Sequence, residues 1–393
     1  MDFKWFSGAM LVAGTAIGAG MLALPVATSL AGFIPSCVVF LACWLFMLAT
    51  GLLFLEISIW LPKDANIVSM ADHMLGKLGR IACALVYLFL FYCLTVAYSA
   101  GGGGFITAIV GEKIPGWLGI LIFSAIFSPA VYLGTRAVDK VNFIWIIGLG
   151  LSYLAFVVMG WNKVDLDMLD SAEWAQALIA LPIIFTAFSF QGIIPSLITY
   201  LKYDVKMVKK ALILGTSIPF ICYVIWELLV LGIVPVEGPT GLLSAKLQGQ
   251  TAVFPLRNRV DFPYIYAIGQ CFSFFALTTS FLGVTLGLMD FLADGFRLVG
   301  IQTKKHVLFC IVFLPPTLIA VFNPNIFLKA LNFAGGIGCA LLLGLLPIVM
   351  SWIGRYVKKY DHKTWQLRGG RLMLCILLCF IFFELIIEFC FTH

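Results

Sequence analysis

Residues 14–25 read GTAIGAGMLALP and residues 185–196 read FTAFSFQGIIPS, two runs containing Gly and Pro inside otherwise apolar stretches. Lipid cannot hydrogen-bond the backbone groups that such interruptions release, so those groups must face protein or a polar cavity. Released N–H groups and half-helix N-termini favour a carboxylate, whereas released C=O groups favour an ammonium or a metal cation. A zwitterionic amino acid needs both at once, and two facing interruptions supply both. For either run alone a kink or a close helix contact through small residues is the competing reading. The pair carries more weight, because the two runs fall in the first and sixth apolar stretches.

Ionisable side chains within apolar stretches are costly and are functional candidates by default. Glu56 lies near the end of the second stretch, where it snorkels or pairs at a gate. Asp290 and Asp294 lie four apart on one helix face beside Arg297, as an ion pair or inner gate. Glu227 reads equally as a hydrogen-bonded buried carboxyl or a proton carrier. Glu384 and Glu388 share a face of the last stretch and are not expected to touch substrate. His73, His306, His362 and His393 fall in loops or at helix ends, which leaves no intramembrane histidine relay. The 11 Cys, including Cys37, Cys43, Cys93, Cys271 and Cys310, show no metal-ligand spacing and are expected to pack or face lipid. HExxH, GxSxG and Walker motifs are lacking, and Asp290 and Asp294 on a single helix serve an aspartyl protease poorly. These features argue against an enzyme. A channel or pore for a small solute is the competing class, although no pore-lining ring is evident.

The elements that hold these residues must be membrane helices. Of 393 residues, 62% are hydrophobic and 11% charged, against about 25% charged in soluble domains. Spans of about 20 apolar residues are expected at 5–31, 33–61, 80–107, 118–135, 142–160, 176–201, 210–234, 263–296, 306–322, 325–352 and 371–391. The expected fold is all-α with 11 transmembrane helices; residues 1–160 and 176–352 form two five-helix repeats of inverted topology, and 371–391 adds a helix. Loops on one face hold 19 of the 25 Lys and Arg residues, which predicts a cytoplasmic N-terminus and an external C-terminus. The net charge of +6 reflects this loop bias; the partner implied is the lipid bilayer, with neither nucleic acid nor an obligate protein partner.

The run GTAIGAGMLALP, the stretch FSFQGIIPSL, the third-span AYSAGGGGF and the eighth-span TTSFLGVTLGLMDFLAD resemble the hydroxy/aromatic amino acid permeases, with the tyrosine-specific branch most similar. The likeness runs along nearly the whole chain. It implies the five-plus-five fold of the bacterial leucine transporter, with discontinuous helices 1 and 6, in the inner (plasma) membrane. It also implies import of tyrosine or a related aromatic amino acid, coupled to a cation gradient; a non-aromatic amino acid is the alternative substrate. By this resemblance the substrate carboxylate meets the N–H groups near Ala19 and Gly20, with Gly18 allowing close approach. The ammonium meets carbonyls near Ala16, Phe185, Thr186 and Phe188. Thr95, Tyr98 and the run Gly101–Gly104 shape a ring pocket, or the glycines serve tight packing. Gln191 stands where many of these permeases carry His, and is expected to bond the tyrosine hydroxyl. No cofactor is implied beyond a coupling ion, H+ or Na+. The family suggests proton symport. Yet Gly14, Ile17, Ala276, Thr279 and Ser280 stand where sodium-coupled relatives supply three carbonyls and two hydroxyls, unless the hydroxyls bond their own helix.

Overall fold

The computed structural model describes residues 3–63, 65–258, 263–298, 302–360 and 365–391. Arg259, His362, Lys363 and His393, which enter the charge, topology and histidine readings, lie outside them. Among the described residues all regular structure is helical. Ten helices among the described residues are long and apolar enough to cross a membrane, and an eleventh span is a helix pair bent by 43°.

That bent pair is the first span: α1 (Lys4–Ala16), a 3₁₀ turn (Ala19–Ala23) and α2 (Leu24–Ala27). Spans two to five are α3 (Phe33–Trp60), α4 (Ile67–Ile109), α5 (Gly116–Leu133) and α6 (Thr135–Gly160). The sixth is again discontinuous: α7 (Trp174–Ile179), α8 (Leu181–Ala187), a 3₁₀ turn (Gln191–Ile193) and α9 (Ile194–Tyr200). The seventh is α10 (Val205–Ile233), followed by the short loop helix α11 (Leu242–Leu247). The eighth and ninth are α12 (Pro263–Leu298) and α13 (Lys305–Phe322). The tenth joins α14 (Phe327–Phe333), a π-helical stretch (Ala334–Leu345), α15 (Leu346–Trp352) and a second π turn (Ile353–Val357). The last is α16 (Gly370–Phe391).

Two of the boundaries that differ from expectation do so for physical reasons. α4 begins at Ile67 rather than near residue 80, because Asn66 accepts a hydrogen bond from Ser69 N–H and caps a segment whose Asp72, His73 and Lys77 depress its hydropathy. Gly76, at φ 75°, breaks that segment from the span. The tenth span runs past 352 through its second π turn, and this positions Arg355.

Arg355 is the partner of Glu56. Its Nε and Nη2 each donate to a Glu56 carboxylate oxygen at 2.6 Å, Leu367 N–H donates to the same carboxylate at 2.8 Å, and both side chains are buried. The pairing joins spans two and ten to the loop before α16, at the end of the bundle where α1 begins. Of the ion pair or inner gate expected at Asp290 and Asp294, the ion pair is present: Arg297 and Asp294 lie 3.9 Å apart in the open, a pairing worth little, and Asp290 is exposed.

Candidate functional site

The first interruption follows from where α1 loses its ladder. Ile17 N–H still bonds Ala13 O at 2.9 Å, but Ala19 N–H turns away to Ser280 Oγ of α12 at 3.0 Å. Between them Gly18 is extended, at φ −167° and ψ −154°, a conformation open to any residue. Glycine is needed here for space alone, because a Cβ would collide with Ser280 Oγ. Gly20 has the same reason on the other side, since its Cβ would lie 3.0 Å from Ala187 Cα at the end of α8. The two interruptions therefore touch at Gly20.

They are also tied by a residue that sequence reasoning missed. Tyr223, fully buried on α10, points its hydroxyl at Ala16 O (2.6 Å) and Ala187 O (2.8 Å), the carbonyls that end α1 and α8. Four residues on, Glu227 accepts a hydrogen bond from Thr28, just past the end of α2. Lower on the same helix, a Cβ on Gly215 would lie 2.6 Å from Ala9 O. Span seven thus follows span one along its length. The available signal was the i, i+4 polar pair Tyr223 and Glu227 on one face of an apolar helix.

The structure brings Ala16, Gly18, Ala19, Gly20 and Ser280 together at the junction, with Ile17 half-buried beside them. Other expected residues make side-chain contacts within the protein. Gln191 is fully buried and committed: Nε2 donates to Thr50 Oγ1 at 3.1 Å and Met47 O at 3.3 Å, and Oε1 accepts from Phe190 N–H at 3.0 Å. The amide so placed fastens span six to span two. Thr186 donates to Leu331 O at 2.8 Å, and its own carbonyl takes the Ser189 hydroxyl at 2.7 Å. The Phe185 ring packs on Phe46 and Phe380, and the Phe188 ring on Phe40 and Tyr223. Thr95 bonds Phe91 O of its own helix at 2.7 Å, while Tyr98 is buried one turn further on. Of the cation cluster, Thr279 donates to Phe275 O at 2.7 Å rather than inward. Ala276 is buried, and Gly14 is exposed with nothing within 4 Å of a built Cβ.

The glycine run divides by function. Cβ atoms on Gly102 and Gly103 would strike Phe123 and Ile120 of α5, so these two serve packing. Gly104, with nothing near a built Cβ, and Gly101, whose Cβ would also lie 2.7 Å from Leu277, line a cavity of about 250 Å³ at the opposite end of the bundle from the Glu56–Arg355 pair, with Gln248, Gln250, Gln270 and Asn325 on its walls. That is near the lower bound of small-molecule pockets, roughly 300 Å³. The loop forming one wall is anchored to span one: Ala252 N–H bonds Leu22 O at 2.9 Å and Lys246 Nζ bonds Ala27 O at 3.1 Å. Burial lowers the Lys246 amine below the ordinary lysine value.

Comparison with known proteins gives this geometry its context. The model of a family described as "Tryptophan/tyrosine permease family" matches residues 1–388. The chain is 33% identical to tyrosine-specific transport system 1 of Haemophilus influenzae, over 95% of this chain and 94% of that protein. It is 31% identical to the tryptophan-specific transport protein of the same organism, over 95% and 92%. Among solved structures, MhsT in complex with L-phenylalanine superposes with a TM-score of 0.65 at 15% identity, covering 99% of this chain and 98% of that one. The fold is the leucine-transporter-like one.

Proposed function

The chain belongs to the tryptophan/tyrosine permease family, and from that premise we propose that it imports tyrosine or a related aromatic amino acid across the bacterial inner membrane. The N-terminus is cytoplasmic in this reading, in keeping with the Lys and Arg bias. The observation that carries it is the contact between the two broken helices, where one backbone carbonyl from each meets Tyr223 and an N–H of the first meets Ser280. Such a junction suits the charged ends of a zwitterion. The cavity beside Gly101 and Gly104 is the entry from outside, and the Glu56–Arg355 pair belongs to the cytoplasmic closure.

Import is coupled to a cation gradient, with the proton as the coupling ion. The resemblance to a family that suggests proton symport supports this choice over sodium. Tyrosine is the substrate put forward over tryptophan, on the slightly higher identity to the tyrosine-specific relative. The test is uptake of labelled tyrosine, tryptophan and leucine by the purified protein in liposomes, with pH and sodium gradients imposed separately. Saturable tyrosine accumulation under an inward proton gradient is expected. Accumulation of leucine but not of aromatic amino acids overturns the substrate class, and sodium-driven uptake indifferent to pH overturns the coupling ion.

A further inference from the structure

Two carboxyls play no part in the site described above. Glu384 and Glu388 lie one turn apart on α16, both fully buried, in an apolar helix of the membrane bundle. Neither oxygen of Glu384 has a hydrogen-bond partner. Glu388 accepts from Asn332 Nδ2 at 2.8 Å, and its carboxyl sits directly over Gly336, where a Cβ would displace it. The titratable groups facing Glu384 are Glu388 on its own helix, Cys43 of span two and Cys339 of span ten. The packed segments α7, α8 and α15 carry none, and Lys329, one turn before Asn332, is exposed. Among the described residues no cationic side chain faces Glu384. An ionised carboxylate without partner or counter-ion does not persist in such surroundings, whereas a carboxylic acid does. Asn332 presents a donor to Glu388, which suits a carboxyl and repels a metal cation.

We propose that Glu384, with Glu388 as its electrostatic partner, is a proton-binding site that couples proton entry to movement of the broken sixth span; the proposal builds on the proton-driven reading given above. One proton adds to the Glu384 carboxylate to give the acid, and leaves it as the same proton on the other side of the cycle. Glu384 is sealed from water here, so exchange belongs to another conformation. The route to the substrate junction is short and material. Asn332 lies at the end of α14, next to the π-helical stretch that begins at Ala334. Leu331 O takes the Thr186 hydroxyl, and Gly335 lies so close to Pro182 O that a side chain there would overlap it. α8 then ends at Ala187, whose carbonyl meets Tyr223. A π-helical stretch departs from regular winding, as helices often do at functional sites, and gives span ten a place to change register when the charge on α16 changes.

The test uses the full-length protein in liposomes with Glu384→Gln, Glu388→Gln and Glu384→Asp. Glu384→Gln is expected to lose at least tenfold in proton-driven tyrosine accumulation and to abolish tyrosine-dependent proton influx, read by an internal pH dye. It keeps tyrosine counterflow, which needs no gradient. Glu384→Asp recovers part of the driven uptake, and Glu388→Gln shifts its pH profile. Proton-driven accumulation at the wild-type level in Glu384→Gln overturns this site while leaving the proton-driven reading intact. A wild type driven by sodium alone overturns both. If Glu384→Gln does not assemble, infrared difference spectra of the wild type and Glu384→Asp decide. A buried carboxylic-acid band that responds to tyrosine and moves in Glu384→Asp supports the site, and its absence overturns it.

Discussion

The side chains that matter most are those whose hydrogen bonds are already spent. Gln191→Leu removes the ties to Thr50 and Met47 and orphans Phe190 N–H. Tyrosine and phenylalanine uptake should therefore fall by similar factors, with a lower thermal transition in detergent. Had Gln191 bonded a substrate hydroxyl, tyrosine alone would suffer. Gly18→Ala places a methyl group against Ser280 Oγ and should lose most tyrosine binding, read by scintillation proximity. The double variant with Ser280→Ala removes the opposing oxygen and should regain part of it, a coupling expected of residues in contact. Glycines announced the interruptions in the sequence because their type and clustering differ from everything around them. Gly18 answers to space rather than to dihedrals, since its backbone is merely extended and a neighbour from span eight sets the constraint. Tyr223 was hard to read for a related reason: apart from its i, i+4 spacing to Glu227, an aromatic residue in an apolar helix looks like core until its hydroxyl is seen between two carbonyls.

At the scale of elements, order and approximate extent of the spans were legible in hydropathy, as were the breaks in spans one and six. Contacts between distant segments were not. Glu56 was visible as an intramembrane acid, but Arg355 was counted among loop cations, because nothing local shows that span ten continues through a π turn to bury it. Arg355→Gln leaves the Glu56 carboxylate buried without its counter-charge and should cost about 3–5 kcal/mol, read as loss of folded protein on heating. Replacing both residues by apolar side chains of similar volume should cost far less. The two outcomes together separate a structural clamp from a charge required by the transport cycle, because the apolar pair retains uptake only in the first case.

The whole molecule divides its small residues between two tasks, and the division can be tested along one helix. Gly104 faces open space in the cavity, whereas Gly103 is pressed against the Ile120 backbone. Gly104→Leu should fold normally yet block tyrosine entry, lowering uptake at least tenfold at unchanged expression. Gly103→Leu should fail to accumulate as folded protein, read by fluorescence-detected gel filtration. The run of four glycines gave no hint of this split, because which helix lies opposite each residue is a property of the assembled bundle.

The Tyr223 hydroxyl carries a single hydrogen and lies within reach of two acceptors. Parity then governs the centre of the molecule: whichever carbonyl receives that hydrogen, the other broken helix ends on an oxygen left unanswered by it. No rearrangement of the phenol evens the number, and only a group arriving with hydrogens of its own can do so. An ammonium arrives with three. For the proposed substrate, occupancy would then complete a tally that the protein alone leaves odd, and an amino acid stripped of its amine would fill the same volume without completing it.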